Sequence, residues 1–401
     1  MKDRLQGDRN MSSISKINNG LEIYKDSKET RDSNLELFRI ITMILIVAHH
    51  YVVNSGLTSA GGPIYSNLWS FRSIFLLVLG AWGKTGINCF VLITGYFMCK
   101  SNITARKFTK LFCEIMFYRI IISMIFWISG YSIFTLKDLL KVLIPITSID
   151  TDFTSTYIIF FLFIPFLNIL VHNMSEKQHI YLLLLCSFLY IFLGTVPFFS
   201  VTMNYVSWFI VLYFISSYIR MYPKKNFKDI RFWGGMTIIS VILSIISVII
   251  CIQWGIRTGQ NMAFYFVTDS NTFLAISTAL CSFMFFKNIN IKYNKVINTI
   301  AASTFGVLLI HANSDTMRQW LWKDTLHNVD MYYLPTAYIH AIVSVLLIFL
   351  ICTIIDYLRI KFIEIPFLKF WDKYSNIIVI KFNVIEEKVC IRLDINNNSL
   401  N

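Results

Sequence analysis

Residues 34–51 read NLELFRIITMILIVAHHY, an unbroken aliphatic stretch with an acid and a guanidinium at one end and two histidines at the other. With no proline or glycine inside it and nearly the roughly 20 apolar residues that cross a hydrocarbon core, the stretch predicts a transmembrane helix. Working outward, similar runs recur through the chain, at about 35–54, 70–98, 110–133, 155–172, 179–198, 202–220, 232–252, 270–286, 298–313 and 335–357. The expected fold class is therefore all-α: a polytopic integral membrane protein of about ten transmembrane helices.

Composition agrees with that class. Only 15% of the 401 residues are charged and 56% are hydrophobic, too little charge to cover a soluble surface. The net charge of +13 is not a nucleic-acid footprint, because Lys and Arg fall in short segments between apolar runs rather than on one stripe. With the N-terminus placed in the cytoplasm, that side collects 28 Lys and Arg against 5 on the other. Ten spans with both termini cytoplasmic follow from that asymmetry. Residues 1–33 are polar and of mixed charge, with no signal-peptide pattern, and read as a disordered cytoplasmic tail. Residues 34–359 form the transmembrane domain, and 360–401 read as a cytoplasmic interfacial tail mixing basic and aromatic residues. The eight cysteines include no C-x-x-C pair and read as packing residues, so no metal is expected.

The second span is interrupted by Gly80, Gly83, Lys84 and Gly86, which suggests a short interfacial helix followed by a shorter span. Ionisable groups inside the bilayer cost free energy and point to function by default. They concentrate in the first three spans, as Glu36, Arg39, His49, His50, Arg72, Lys84, Glu114 and Arg119, with His311 in the ninth.

Arg39 and His50 are eleven residues apart, which brings them within roughly 20° on one helix face and about 16 Å apart along the axis. Glu36 lies one turn before Arg39, and His49 points away by about 100°. An anionic ligand entering at Arg39 would extend towards His50. Each residue also has a plainer reading: Arg39 as a snorkelling loop terminus, His50 as an interfacial cap, His311 as a hydrogen-bonded histidine within the bundle. Arg119, nearer mid-membrane, would bind an anion or pair with Glu114 or Glu36. His311, Lys84 and Asn88 are expected at the same depth as His50, and a histidine beside a polar partner can serve as a general base.

These segments resemble the membrane-bound acyltransferase-3 group, bacterial proteins that O-acylate cell-surface polysaccharides. The resemblance lies in Arg39 and His50 with ten residues between, with Glu36 three before the arginine. It extends to GINCFVLITGYFM at 86–98, where Thr94 replaces the usual serine, and to STFGVLLIHANSDTMRQWLW at 303–322. FFLFIPFLN at 160–168 and DYLR at 356–359 are also similar. No segment remains for an appended soluble domain, so the stand-alone form is implied.

The resemblance implies transfer of an acyl group, usually acetyl, from cytoplasmic acetyl-CoA to a sugar hydroxyl of a surface polysaccharide or its lipid-linked precursor, in the bacterial plasma membrane. Arg39 would then hold the phosphates of acetyl-CoA, with Arg119, Tyr96 and Lys84 as further donor-binding candidates. His50 would deprotonate the hydroxyl or carry the acyl group transiently, with Glu36 and His311 as further catalytic candidates. Lys84, Asn88 and Tyr96 would stabilise an oxyanion or line the donor path. The rival reading is a sugar-lipid flippase or transporter without acyl transfer. A carrier of that kind would spread its charges over two related halves, which this chain does not.

Overall fold

The computed structural model describes residues 32–146, 152–196, 198–199, 204–259, 262–267 and 269–375. The expected tails at 1–33 and 360–401 thus lie mostly outside the described residues. Among the described residues every regular element is helical, so the fold is all-α as expected. Seven helices are long and apolar enough to cross a membrane, or eight with a bent pair counted as one. Two shorter apolar helices, Tyr205–Met221 and Phe273–Asn288, occupy two of the ten segments expected to span.

The bundle is organised around the helix Ser33–Val53, called α1. It packs against α2 (Phe71–Gly80), α3 (Gly83–Met98) and the last long helix, α4 (Ala337–Arg359), as well as Phe273–Asn288 and the segment 295–311. In turn α3 packs on Tyr205–Met221 and Phe273–Asn288. Helices at the periphery, such as Glu176–Cys186 and Ile230–Thr258, leave Leu184, Leu185, Ile238, Ile242 and Ile250 exposed. An apolar belt of this kind is what lipid tails cover, and the chain is a multi-pass membrane protein.

The glycines of the second span are explained by close helix contact. A short break at Ala81 and Trp82 separates α2 from α3, and the pair passes as one apolar span, Phe71–Met98. A methyl group built on Gly80 would lie 2.8 Å from Val52, one on Gly83 2.2 Å from the His49 ring, and one on Gly86 2.7 Å from Ile46. Three glycines at three-residue spacing therefore form a bare stripe on which α1 lies.

The opposite end of the bundle is tied by a buried ion network. Arg359 donates from Nε to Asp356 (2.8 Å), from Nη1 to Glu364 (2.8 Å) and from Nη2 to Glu114 (3.0 Å). Tyr118 donates to the same Asp356 carboxylate, and Lys110 pairs with Glu364 at 2.7 Å. The span thus runs on as Ala337–Ser375, past the boundary expected at 359, because Glu364 is buried against Arg359 and Lys110. The network also corrects the expected pairing of Arg119 with Glu114 or Glu36: Glu114 is held by Arg359, and Glu36 by Arg39.

Candidate active site

The ninth expected span is a broken helix. Residues 295–311 and Asp315–Thr325 meet at a bend of 92°, with His311 as the last residue before the turn. Beyond the bend the chain passes through a π-helical stretch, Gln319–Thr325, a geometry often found at functional sites. Broken helices free backbone and polar side chains to face a cavity instead of lipid.

At this bend α1 delivers His50. Its Nδ1 lies 3.0 Å from Nε2 of His311, and Nδ1 of His311 lies 2.6 Å from the carbonyl oxygen of Val307. A carbonyl only accepts, so His311 carries its proton on Nδ1 and presents a lone pair at Nε2. That lone pair accepts from Nδ1–H of His50, which leaves Nε2 of His50 without a proton. The contacts alone therefore determine which nitrogen of His50 can accept one. His311 is fully buried, with the indole of Trp322 at its edge.

His50 lines a cavity of about 350 Å³, together with His49, Lys84, Arg119, Asp152, Tyr205, Asn313 and Arg318. His49 donates from Nδ1 to the carbonyl of Gly80 (2.6 Å), which turns its ring onto the bare surface of Gly83. Lys84 donates to the Tyr205 hydroxyl and lies 5.0 Å from the centre of that ring. Asp152 caps the helix Phe153–Asn173 by accepting from the amides of Thr154 and Ser155. The same carboxylate stands 3.9 Å from Arg119, whose guanidinium also donates to the carbonyls of Lys141 and Val142. Among the described residues, three cations, Lys84, Arg119 and Arg318, thus share the cavity wall with the carboxylate of Asp152.

The structure divides the residues singled out from sequence between two places. His50, His311, Lys84 and Arg119 come together at the bend. Glu36, Arg39 and Tyr96 lie at the far end of α1 and α3. Glu36 is about 21 Å from His50 along the helix axis, from the rise per residue. Both of its oxygens accept from Nη1 of Arg39 at 3.3 Å, so it acts on the guanidinium and not on atoms at His50.

Tyr96 accepts from Arg220 at 2.9 Å and carries that guanidinium on its ring at 4.6 Å. The adjacent Phe97 carries Arg39 at 5.9 Å. Arg220 is thus a second cation at the Arg39 end, unrecognised in the sequence because it reads as the edge of a basic loop. Asn88 is fully buried, accepting from the Trp208 indole (2.8 Å) and donating to the carbonyl of Ser270 (2.6 Å). It braces helices and, contrary to the expectation, is not among the residues that line the cavity, so it is not placed beside His50 to meet an oxyanion there. Asp152 and Tyr205 were not legible as site residues, since each gains its role only from a partner on another helix.

Among the described residues no group of three or more His, Cys, Asp or Glu side chains is placed to hold a metal ion. No curated protein and no solved structure shows significant similarity to the chain. A family model described as an acyltransferase domain does match, over residues 32–357, which takes in both ends of α1, the bend at His311 and most of α4. The chain belongs to the acyltransferase-3 family.

Proposed function

We propose that the protein transfers an acetyl or similar short acyl group from acyl-CoA to a sugar hydroxyl of a cell-surface polysaccharide or its lipid-linked precursor, in a bacterial plasma membrane. The observation that carries this reading is the His50–His311 pair, whose hydrogen bonds leave Nε2 of His50 unprotonated on a residue that lines a cation-bearing cavity of an acyltransferase chain.

In this mechanism Nε2 of His50 takes the proton of the acceptor hydroxyl as its oxygen attacks the thioester carbonyl. The new C–O bond forms, the C–S bond breaks, and the proton passes from His50 to the departing thiolate, giving the ester and free CoA. His311 accepts throughout from Nδ1–H of His50, holding the ring and stabilising the imidazolium as it forms. Lys84, with Arg318 and Arg119 behind it, supplies positive charge where the tetrahedral oxyanion develops.

The donor's phosphates are bound at the other end of α1, by Arg39 oriented by Glu36 and by Arg220 on Tyr96. Guanidinium groups suit phosphate because their donors match its oxygens in pairs. The interval of about 16 Å between Arg39 and His50 is then crossed by the extended pantetheine arm. The basic excess at the expected cytoplasmic loops supports a cytoplasmic Arg39, on the side where acyl-CoA is made, and an outward-facing His50.

The test supplies membranes carrying the protein with labelled acetyl-CoA and the polysaccharide of the producing cells. Wild-type membranes should label the polysaccharide and His50→Ala membranes should not. Equal labelling by the two would reject the role of His50.

A further inference from the structure

The cavity beside His50 is not a blind pocket. On one side it adjoins a cleft of about 640 Å³, and Arg119, Asp152, Asn313 and Arg318 line both. On the other it adjoins a second cleft of about 730 Å³, and Val53, Asn54 and Phe264 line both. His50 therefore lines a cavity that shares walls with two further clefts, through two different sets of residues, and the three together form a trough. Each cleft alone has the volume of an ordinary ligand site.

The two wings carry similar chemistry. In the first, Trp127 stands with Asp138, Ser123 and Thr316, and in the second Tyr265 stands with Asp269 and Thr272. An aromatic face takes the C–H face of a pyranose, while carboxylates and hydroxyls take its hydroxyl groups. Both wings also carry a lysine, Lys141 in the first, paired with Asp138 at 3.6 Å, and Lys323 in the second.

We infer that the acceptor is an interior residue of an extended glycan, which lies along the trough with sugar units in both wings and the acylated one at His50. A chain end or a lone sugar would need a site closed on one side. This inference rests on the acyl-transfer reading above and adds the form of the acceptor to it.

The test uses fragments of graded length, made by partial hydrolysis of the producing cells' own polysaccharide, with labelled acetyl-CoA and the full-length protein in membranes. Longer fragments should be acetylated more efficiently than mono- and disaccharides, and NMR should place the ester on interior residues. Trp127→Ala and Tyr265→Ala should each cut the ratio of long- to short-fragment kcat/KM by roughly tenfold, as truncating one aromatic anchor does. Because each variant is compared with itself, partial misfolding does not alter that ratio.

Equal efficiency at all lengths, or esters confined to chain ends, would overturn the inference while leaving acyl transfer in place. Label on no fragment of any length would overturn both.

Discussion

His311 holds His50 through Nε2, at 3.0 Å from Nδ1, while its own Nδ1 is committed to the Val307 carbonyl one turn back in the same helix. The consequence is directional: of the two nitrogens of His50, Nε2 is the one that can take a proton from a ligand. Replacing His50 with alanine should lower kcat by about 10²–10⁴-fold, the usual contribution of a positioned general base. His311→Ala should lose a large part of that factor with little change in KM for acyl-CoA. In His311→Gln an amide oxygen can still accept from His50, so part of the activity should return. Steady-state kinetics with labelled donor separate these outcomes, and a His311→Gln variant no better than His311→Ala would argue against the tautomer assignment.

In the proposed mechanism Arg39 and Glu36 act on the donor and not on the chemistry. Arg39→Ala should raise KM for acyl-CoA by about ten- to a hundredfold, matching a charge-assisted hydrogen bond worth about 1.5–3 kcal/mol. Lysine at position 39 should restore little, because an ammonium lacks the planar fork. Glu36→Gln keeps the shape but loosens the guanidinium, and its effect should be smaller than that of Arg39→Ala. The same KM measurement on Arg220→Ala decides whether that second cation contributes.

Gly83 is the tightest contact on the glycine stripe, with a built methyl 2.2 Å from the His49 ring. Gly83→Ala must displace either the ring or the helix, so it should cost about 1–3 kcal/mol, the usual range for an overpacked interior. A fall in Tm of the detergent-solubilised protein, together with reduced turnover, is expected. Gly235 has no atom near a built methyl, and Gly235→Ala should be tolerated in the same assay.

The Arg359 network is a stability device remote from the cavity. Arg359→Met would leave Glu114, Asp356 and Glu364 buried with Lys110 as their remaining cation partner among the described residues, and should cost about 3–5 kcal/mol. Reduced amounts of folded protein in membranes, with normal KM for acyl-CoA in the surviving fraction, would show a structural role. A selective rise in KM would instead place the network on the donor path.

How much of this was legible in the sequence varies with how local each signal is. The helical class and the multi-pass character follow from apolar runs of spanning length, as in residues 34–51. The alignment of Arg39 with His50 follows from helical periodicity alone, and Glu36 takes its expected place beside Arg39. Other expectations failed where partners lie far away in the chain. Asn88 read as stabilising an oxyanion or lining the donor path, yet its side chain ties Trp208 to the Ser270 carbonyl away from the cavity lining. Arg119 read as binding an anion or pairing with Glu114 or Glu36; the pairing fails, since Glu114 meets Arg359 from a helix 245 residues later and Arg119 faces Asp152. The glycines of the second span read as a discontinuity, and their larger role is to admit α1.

The sequence by itself determined that this chain crosses a membrane and that the first helix carries a guanidinium and an imidazole on one face, because hydropathy and the 100° step of a helix are properties of neighbouring residues. Only the tertiary structure decided that His311 is the partner of His50, that Lys84, Arg119 and Arg318 gather around them, and that the cavity opens into two wings. His50 and His311 are themselves 261 positions apart, and these relations depend on a 92° bend at His311 that becomes visible only when the helices are packed.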